Sequence, residues 1–237
     1  MKRNLIKTFA TAGAAALLLA ACGDDGGSSA DDGSGSDKSQ DPVYAESASW
    51  NACEVLDNLQ PITDYMGILG YGSSTDEGGE PGNSEIGNTL DPDAIGCNGI
   101  FYLGSYQDLG MSGEIQVKIV PAESEDQARS SYSDRLSSAE AEASGWDDIQ
   151  SEEFGAPWDE GTLISWIGDA ENPTVEVVAR DGQWVLHIVL YHNYDRGERV
   201  DDSPSLSFTP DERNKWLVET YLPEVHQAVN NRIAEVQ

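Results

Sequence analysis

The chain has 237 residues, of which 13 are Lys or Arg and 43 are Asp or Glu, for a formal net charge of −30. So acidic a chain lacks the basic footprint that nucleic-acid phosphates or anionic lipid headgroups require, which excludes both as charge-driven partners. Its three cysteines are too few for a disulfide-dense scaffold or a four-cysteine zinc site.

Lys2, Arg3 and Lys7 form a basic head, and Thr8 to Ala21 is an uncharged run of mostly Ala and Leu. At about 1.5 Å per residue this run is shorter than a bilayer core of about 30 Å, and its length suits a signal-peptide core. It ends Leu19-Ala20-Ala21-Cys22, which resembles the lipobox of bacterial lipoproteins. The resemblance implies a signal peptide over 1–21 and a mature chain that begins at Cys22, carries lipid there and sits on the extracytoplasmic face of the cell membrane. Residues 23–41 are Gly, Ser and Asp apart from Ala30, Lys38 and Gln40. No apolar face exists to offset the ordering entropy, so 22–45 is expected to be the lipidated cysteine followed by a disordered acidic tether.

Residues 46–237 suffice for one globular domain. Asn51, with Glu54 three positions on, predicts a helix start whose buried stripe is Val55, Leu56 and Leu59. Pro61 opens a second short helix to about Leu69, with Gly70 as its stop. Residues 71–96 have no periodicity and are expected to be a surface loop. Ile100 to Tyr106 and Glu114 to Val120 are predicted strands; in the second, Ile115, Val117 and Ile119 alternate with polar residues. Ser124 to Ala143 is a predicted helix, with Ala128, Tyr132, Leu136, Ala139 and Ala143 on one face. Four strands follow at about 148–154, 162–168, 174–180 and 183–191, the last two joined at Asp181-Gly182 and the last nearly all apolar. Thr209-Pro210-Asp211-Glu212 opens a final helix, with Pro223 predicting a kink. The order helix, two strands, helix, four strands, helix predicts an α+β fold. It is expected to have a mainly antiparallel sheet of about six strands, with the helices packed on one face.

With Cys22 taken by lipid, Cys53 and Cys97 remain in an oxidising compartment, which predicts a disulfide between them. Their neighbours Glu54, Asp57 and Asp93 are acidic, the wrong setting for a nucleophilic thiolate. The lipobox, the tether, Cys53-Glu54-Val55-Leu56, Leu69-Gly70 and Cys97 before a strand together resemble a class of secreted actinobacterial lipoproteins carrying a domain of unknown function. Cys97-Asn98-Gly99 departs from the Cys-x-Trp common in that class. The resemblance implies an extracytoplasmic, non-enzymatic domain and supplies neither ligand nor catalytic residues.

A search for chemistry finds three histidines, His187, His192 and His226. His187 and His192 lie five apart on one strand and face opposite sides, and no metal-site spacing is present. No Gly-x-Ser-x-Gly elbow occurs. Glu152-Glu153 and Asp159-Glu160 flank Trp158, a pattern open to a glycan site but better explained as a solvated acidic edge. The stretch 195–202 lacks a calcium-loop register and is expected to be a plain loop. Trp166 and Trp184 are expected in the core, and Tyr191 and Tyr194 at a strand end. The expectation is a monomeric binding or accessory protein, without enzymatic activity, cofactor or metal. Its partners would be the membrane, through lipid on Cys22, and an envelope protein or small-molecule ligand. An envelope hydrolase or glycan-processing enzyme, and a sensor-like domain modulating a membrane signalling protein, are the alternatives.

Overall fold

The computed structural model describes residues 42–85 and 94–236. Cys22, its lipobox and most of the tether lie outside the described residues. The elements are α1 (Pro42–Ser47), α2 (Ala52–Val55), α3 (Gln60–Met66), β1 (Gly70–Tyr71), β2 (Gly82–Glu85), β3 (Ile95–Tyr106), β4 (Leu109–Pro121) and α4 (Glu125–Ala143). They continue with β5 (Asp147–Phe154), β6 (Glu160–Ile167), β7 (Pro173–Asp181), β8 (Trp184–His192), α5 (Arg196–Asp201), α6 (Pro210–Trp216) and α7 (Leu222–Val236).

The fold is α+β. Among the described residues its sheet has eight strands in the order β1-β3-β4-β8-β7-β6-β5, with β2 also on β3, and every one of these pairings is antiparallel. The expected six strands become eight because β1 and β2 form inside the stretch expected to be a loop. Both are short and glycine-rich, and β3 supplies their hydrogen bonds. Helix α1 and the buried Tyr44 lie in the stretch expected to be tether.

The helices do not share one face. Ile115, Val117, Ile119, Val175, Val177, Ala179, Leu186, Ile188 and Leu190 point to the side that carries α2, α3, α6 and α7. The residues between them point the other way: Val120, Val178 and Val185 meet Ala128 and Tyr132 of α4, while Ile164 and Trp166 meet Ala139 and Ala143. Strands β7 and β8 are apolar on both faces and need cover on both.

Local chemistry sets the element ends. The Asn51 side chain accepts from the Glu54 N–H (3.2 Å) and caps α2. Helix α3 stops at Gly67 (φ 67°), three residues before the expected Gly70, and Leu69 and Gly70 turn into the sheet instead. The β3–β4 hairpin turns on Gln107 and Asp108, both left-handed (φ 50° and 63°), and the β7–β8 hairpin on Gly182 (φ 52°) and Gln183. A reciprocal capping box joins Thr209 and Glu212 at the start of α6. The kink expected at Pro223 takes the form of a π-helical turn over Leu217–Tyr221, in which the Leu222 N–H reaches the Leu217 carbonyl. The wider turn removes the bond that the proline nitrogen cannot make.

Candidate functional site

Cys53 and Cys97 are joined by a disulfide (S–S 2.04 Å), which ties α2 to β3. Both are buried, so neither offers a thiol.

The acids around Trp158 do not form a glycan platform. Trp158 is buried against Trp184 (centroids 4.9 Å) and His226 (5.0 Å). Asp159 and Glu160 are both held by Arg180, which binds Asp159 Oδ2 at 2.9 Å and also bonds Glu160. Trp166 and Trp184 are in the core, while Tyr191 is exposed and donates to Glu114 (2.9 Å).

Two of the three histidines are engaged. Arg135 Nη1 lies 3.0 Å from His187 Nδ1, which therefore accepts, and His187 Nε2 donates to Glu176 at 2.5 Å. Burial holds the His187 pKa below its ordinary value, and the carboxylate only partly restores it. His226 pairs with Asp181 (2.9 Å), which also accepts from the Asn230 amide (2.8 Å).

His192 differs. It faces the opposite side of β8 from His187 and is 1 % exposed. Its Nδ1–H donates to the Asn193 carbonyl (2.7 Å), and Nε2 is buried with no hydrogen-bond partner. Burial, and secondarily the charge of Arg213, pushes its pKa down to about 3, so the ring is neutral and Nε2 presents a lone pair.

His192 borders a groove of about 740 Å³ at one end of the sheet, the size of a small-molecule site. Its walls come from five places: the start of β5, the end of β6, the start of β7, the end of β8 and the segment 194–212. Ile167, Pro173, Tyr194, Leu206 and Phe208 supply apolar surface, and Phe208 meets the His192 ring edge-on (5.3 Å, 82°). Asp147, Asp148, Glu171, Glu198 and Arg199 line the rest.

The stretch expected to be a plain loop at 195–202 contains α5, and Asp195 holds it in place. The Asp195 carboxylate caps α5 at Glu198 N–H (3.0 Å) and also accepts from Ser205 N–H (2.9 Å) and Leu206 N–H (2.8 Å). Burial raises the pKa of this carboxyl, but the Ser205 hydroxyl and the three backbone donors outweigh it and leave the group at about 2. Gly197 is required here, since a Cβ would lie 2.3 Å from the Ser203 carbonyl oxygen. Arg199 pairs with Glu171 and covers the Tyr194 ring (4.6 Å), closing one wall.

Behind the groove, Arg213 is fully buried. Nη1 donates to the Pro173 carbonyl (3.3 Å), and Nε and Nη2 donate to Asn214 Oδ1 (3.1 and 2.9 Å). Burial lowers its pKa to about 9, which keeps it charged at neutral pH.

The sequence singles out His192 only as a strand-end histidine and gives no sign of the groove. The one local signal is Asp195 three residues before Glu198, an N-cap pattern. Comparison with family models, with curated proteins and with solved structures finds no match.

Proposed function

We propose that the chain is a lipid-anchored, extracytoplasmic binding or accessory protein of a bacterial envelope, and that its ligand site is the groove beside His192. The observation that carries this reading is a groove of about 740 Å³, the size of a small-molecule site, in which Ile167, Pro173, Leu206 and Phe208 supply apolar surface beside charged residues. The partners of His187 and His226 also favour binding over hydrolysis, because each ring is used in holding the fold.

The lipobox and tether supply the location. A diacylglyceryl cysteine with two or more acyl chains anchors firmly, whereas one chain does not. Two measurements test the reading. In the bacterial host, the wild type partitions into detergent and Cys22→Ser is released; equal partitioning refutes the anchor. In a fragment screen followed by protein NMR, hits cluster at Ile167, Tyr194, Leu206 and Phe208; hits confined to other surfaces refute the site.

A further inference from the structure

We propose that β5 is a docking edge, on which a basic, extended segment of a partner protein pairs as a further strand of the sheet. This surface goes beyond the groove described above and does not depend on it, since residues 150–154 are not part of the groove lining.

The two ends of the sheet are finished differently. At one end β3 is covered by β1 and β2, of two and four residues, and strands so short offer little edge to pair with. At the other end β5 runs for eight residues and, among the described residues, pairs only with β6. Its pairing is regular from Gln150 to Phe154, past the register shift between Asp147 and Gln150, and it holds no proline. In an antiparallel strand alternate residues turn their N–H and C=O to each side, so every second residue of this stretch presents both groups outward.

β5 also buries very little. Residues 147–153 are all exposed, Ile149 at 47 %, and Trp146 just before them is at 41 %. Helix α4 rests its Ala139 and Ala143 on Ile164 and Trp166 of β6, and β5 stays outside that cluster. Only Phe154, at the end of the strand, packs against the core. A strand is ordinarily held by burying one face, whereas this one gives seven consecutive residues to solvent. Apolar side chains exposed beside an unpaired edge invite pairing with another chain.

Charge selects the occupant. β5 carries Asp147, Asp148, Glu152 and Glu153 and no basic residue. Glu152 and Glu153 are adjacent, so they point to opposite faces of the sheet. A second copy of this chain brings the same acids to the same edge, and like charges facing across a ladder destabilise it. A strand with adjacent Arg and Lys meets both carboxylates, one on each face, and apolar residues beside them can cover Ile149. Backbone pairing then supplies the affinity and the side chains the specificity, as in other cases of strand addition.

The probe is a two-strand hairpin peptide cyclised head to tail, which lowers the ordering cost of binding. One strand reads Thr-Val-Arg-Lys-Val-Thr and has a free outer edge; the other is N-methylated along its own outer edge and pairs with nothing more. The hairpin is titrated into the full-length chain carrying Cys22→Ser and followed by protein NMR and amide exchange. Exchange is expected to slow at every second residue of 149–154, with resonance shifts along β5. N-methylation of the free edge is expected to abolish binding. Replacing Arg-Lys by Glu-Glu is expected to weaken binding about tenfold, as two exposed ion pairs become two repulsions. Glu152→Lys with Glu153→Lys is expected to reverse that preference; both residues are exposed, so the fold tolerates the change. Equal binding of the N-methylated hairpin overturns strand addition. Equal binding of the Arg-Lys and Glu-Glu hairpins to the wild type overturns the charge selection. Protection of β5 that rises with protein concentration alone makes the occupant a second copy and overturns the basic partner. No change in β5 at millimolar hairpin overturns the docking edge itself. None of these outcomes bears on the groove, whose own test is the fragment screen.

Discussion

Protonating His192 should destabilise the fold, and the size of the effect follows from its burial. The ring is neutral in the folded state, with its pKa pushed down to about 3. In the unfolded chain it titrates near its ordinary value of 6.5. Below that value the unfolded state binds a proton that the folded state refuses, so stability falls as pH falls. Each pH unit in this window is worth about 1.4 kcal/mol. Between pH 6.5, where the unfolded-state ring is half protonated, and pH 4.5 the loss from His192 alone is therefore about 2 kcal/mol, or roughly 4–8 °C in Tm for a domain of this size. The assay is urea unfolding at pH 7, 6, 5 and 4.5 for the wild type and for His192→Phe, with His192→Gln as a second replacement. The variants keep His187, whose pKa is also lowered by burial, and all the carboxylates. The difference in slope therefore isolates His192. Parallel pH profiles for wild type and both variants would refute the reasoning, whatever the absolute stabilities.

Four other perturbations probe separate parts of the fold. Replacing Cys53 and Cys97 together by Ala frees a loop of sequence separation 44, which by loop entropy costs up to about 4 kcal/mol; an unchanged urea midpoint would show that the bond adds nothing. Asp195→Ala strips the acceptor from three backbone N–H groups and is expected to cost about 2–3 kcal/mol, with new proteolytic cuts between 196 and 206; protection there equal to wild type would contradict the role given to Asp195. Arg180→Met removes a cation whose side chain is 7 % exposed, but its partners Asp159 and Glu160 stay 49 % and 35 % exposed and can rehydrate. The cost should therefore be about 1–2 kcal/mol rather than the 3–5 of a fully buried pair, and a larger loss by denaturation would show that water does not reach them. Thr209→Ala breaks the capping box and should cost about 1 kcal/mol in the same assay, with no change at β5–β8 by hydrogen exchange.

What the sequence discloses about the fold depends on whether the signal is local. The caps at Asn51, Ser124 and Thr209 are legible because each is written within four residues, and all three side chains accept the bonds expected of them. The stripe on α4 is likewise legible, and its small residues fit a helix lying on a sheet. Two-sided cover of the sheet was available too: Trp184 to Tyr191 is apolar at nearly every position, and such a strand needs apolar neighbours on both faces. The β3–β4 hairpin is harder to foresee, since its left-handed turn uses Gln107 and Asp108 without a glycine. Strands β1 and β2 carry no pattern of their own and exist because β3 offers them a partner. The groove is the extreme case. Its lining residues lie between 147 and 212 in five separate segments, and only the pairing of the strands brings them to one end. No motif spans such a set, and the N-cap pattern at Asp195 announces a helix, not a groove.

Asp195 and His192, the two groups at the groove with displaced pKa values, both keep their ionisation state through mild acidification, and this bears on how the groove would work. Asp195, at about 2, stays ionised well below neutral pH, so the wall it fastens is insensitive to mild acidification. His192, at about 3, stays an acceptor over the same range, even though its refusal of a proton drains stability below pH 6.5. Arg199 and Glu171 pair with each other and close the same side. A groove built from these groups keeps one shape and one set of donors and acceptors from about pH 5 upward. Any pH dependence of binding above that point must then come from the ligand. Affinity for a ligand that does not itself titrate, changing between pH 5 and 7, would place the titrating group in the protein and refute this reading.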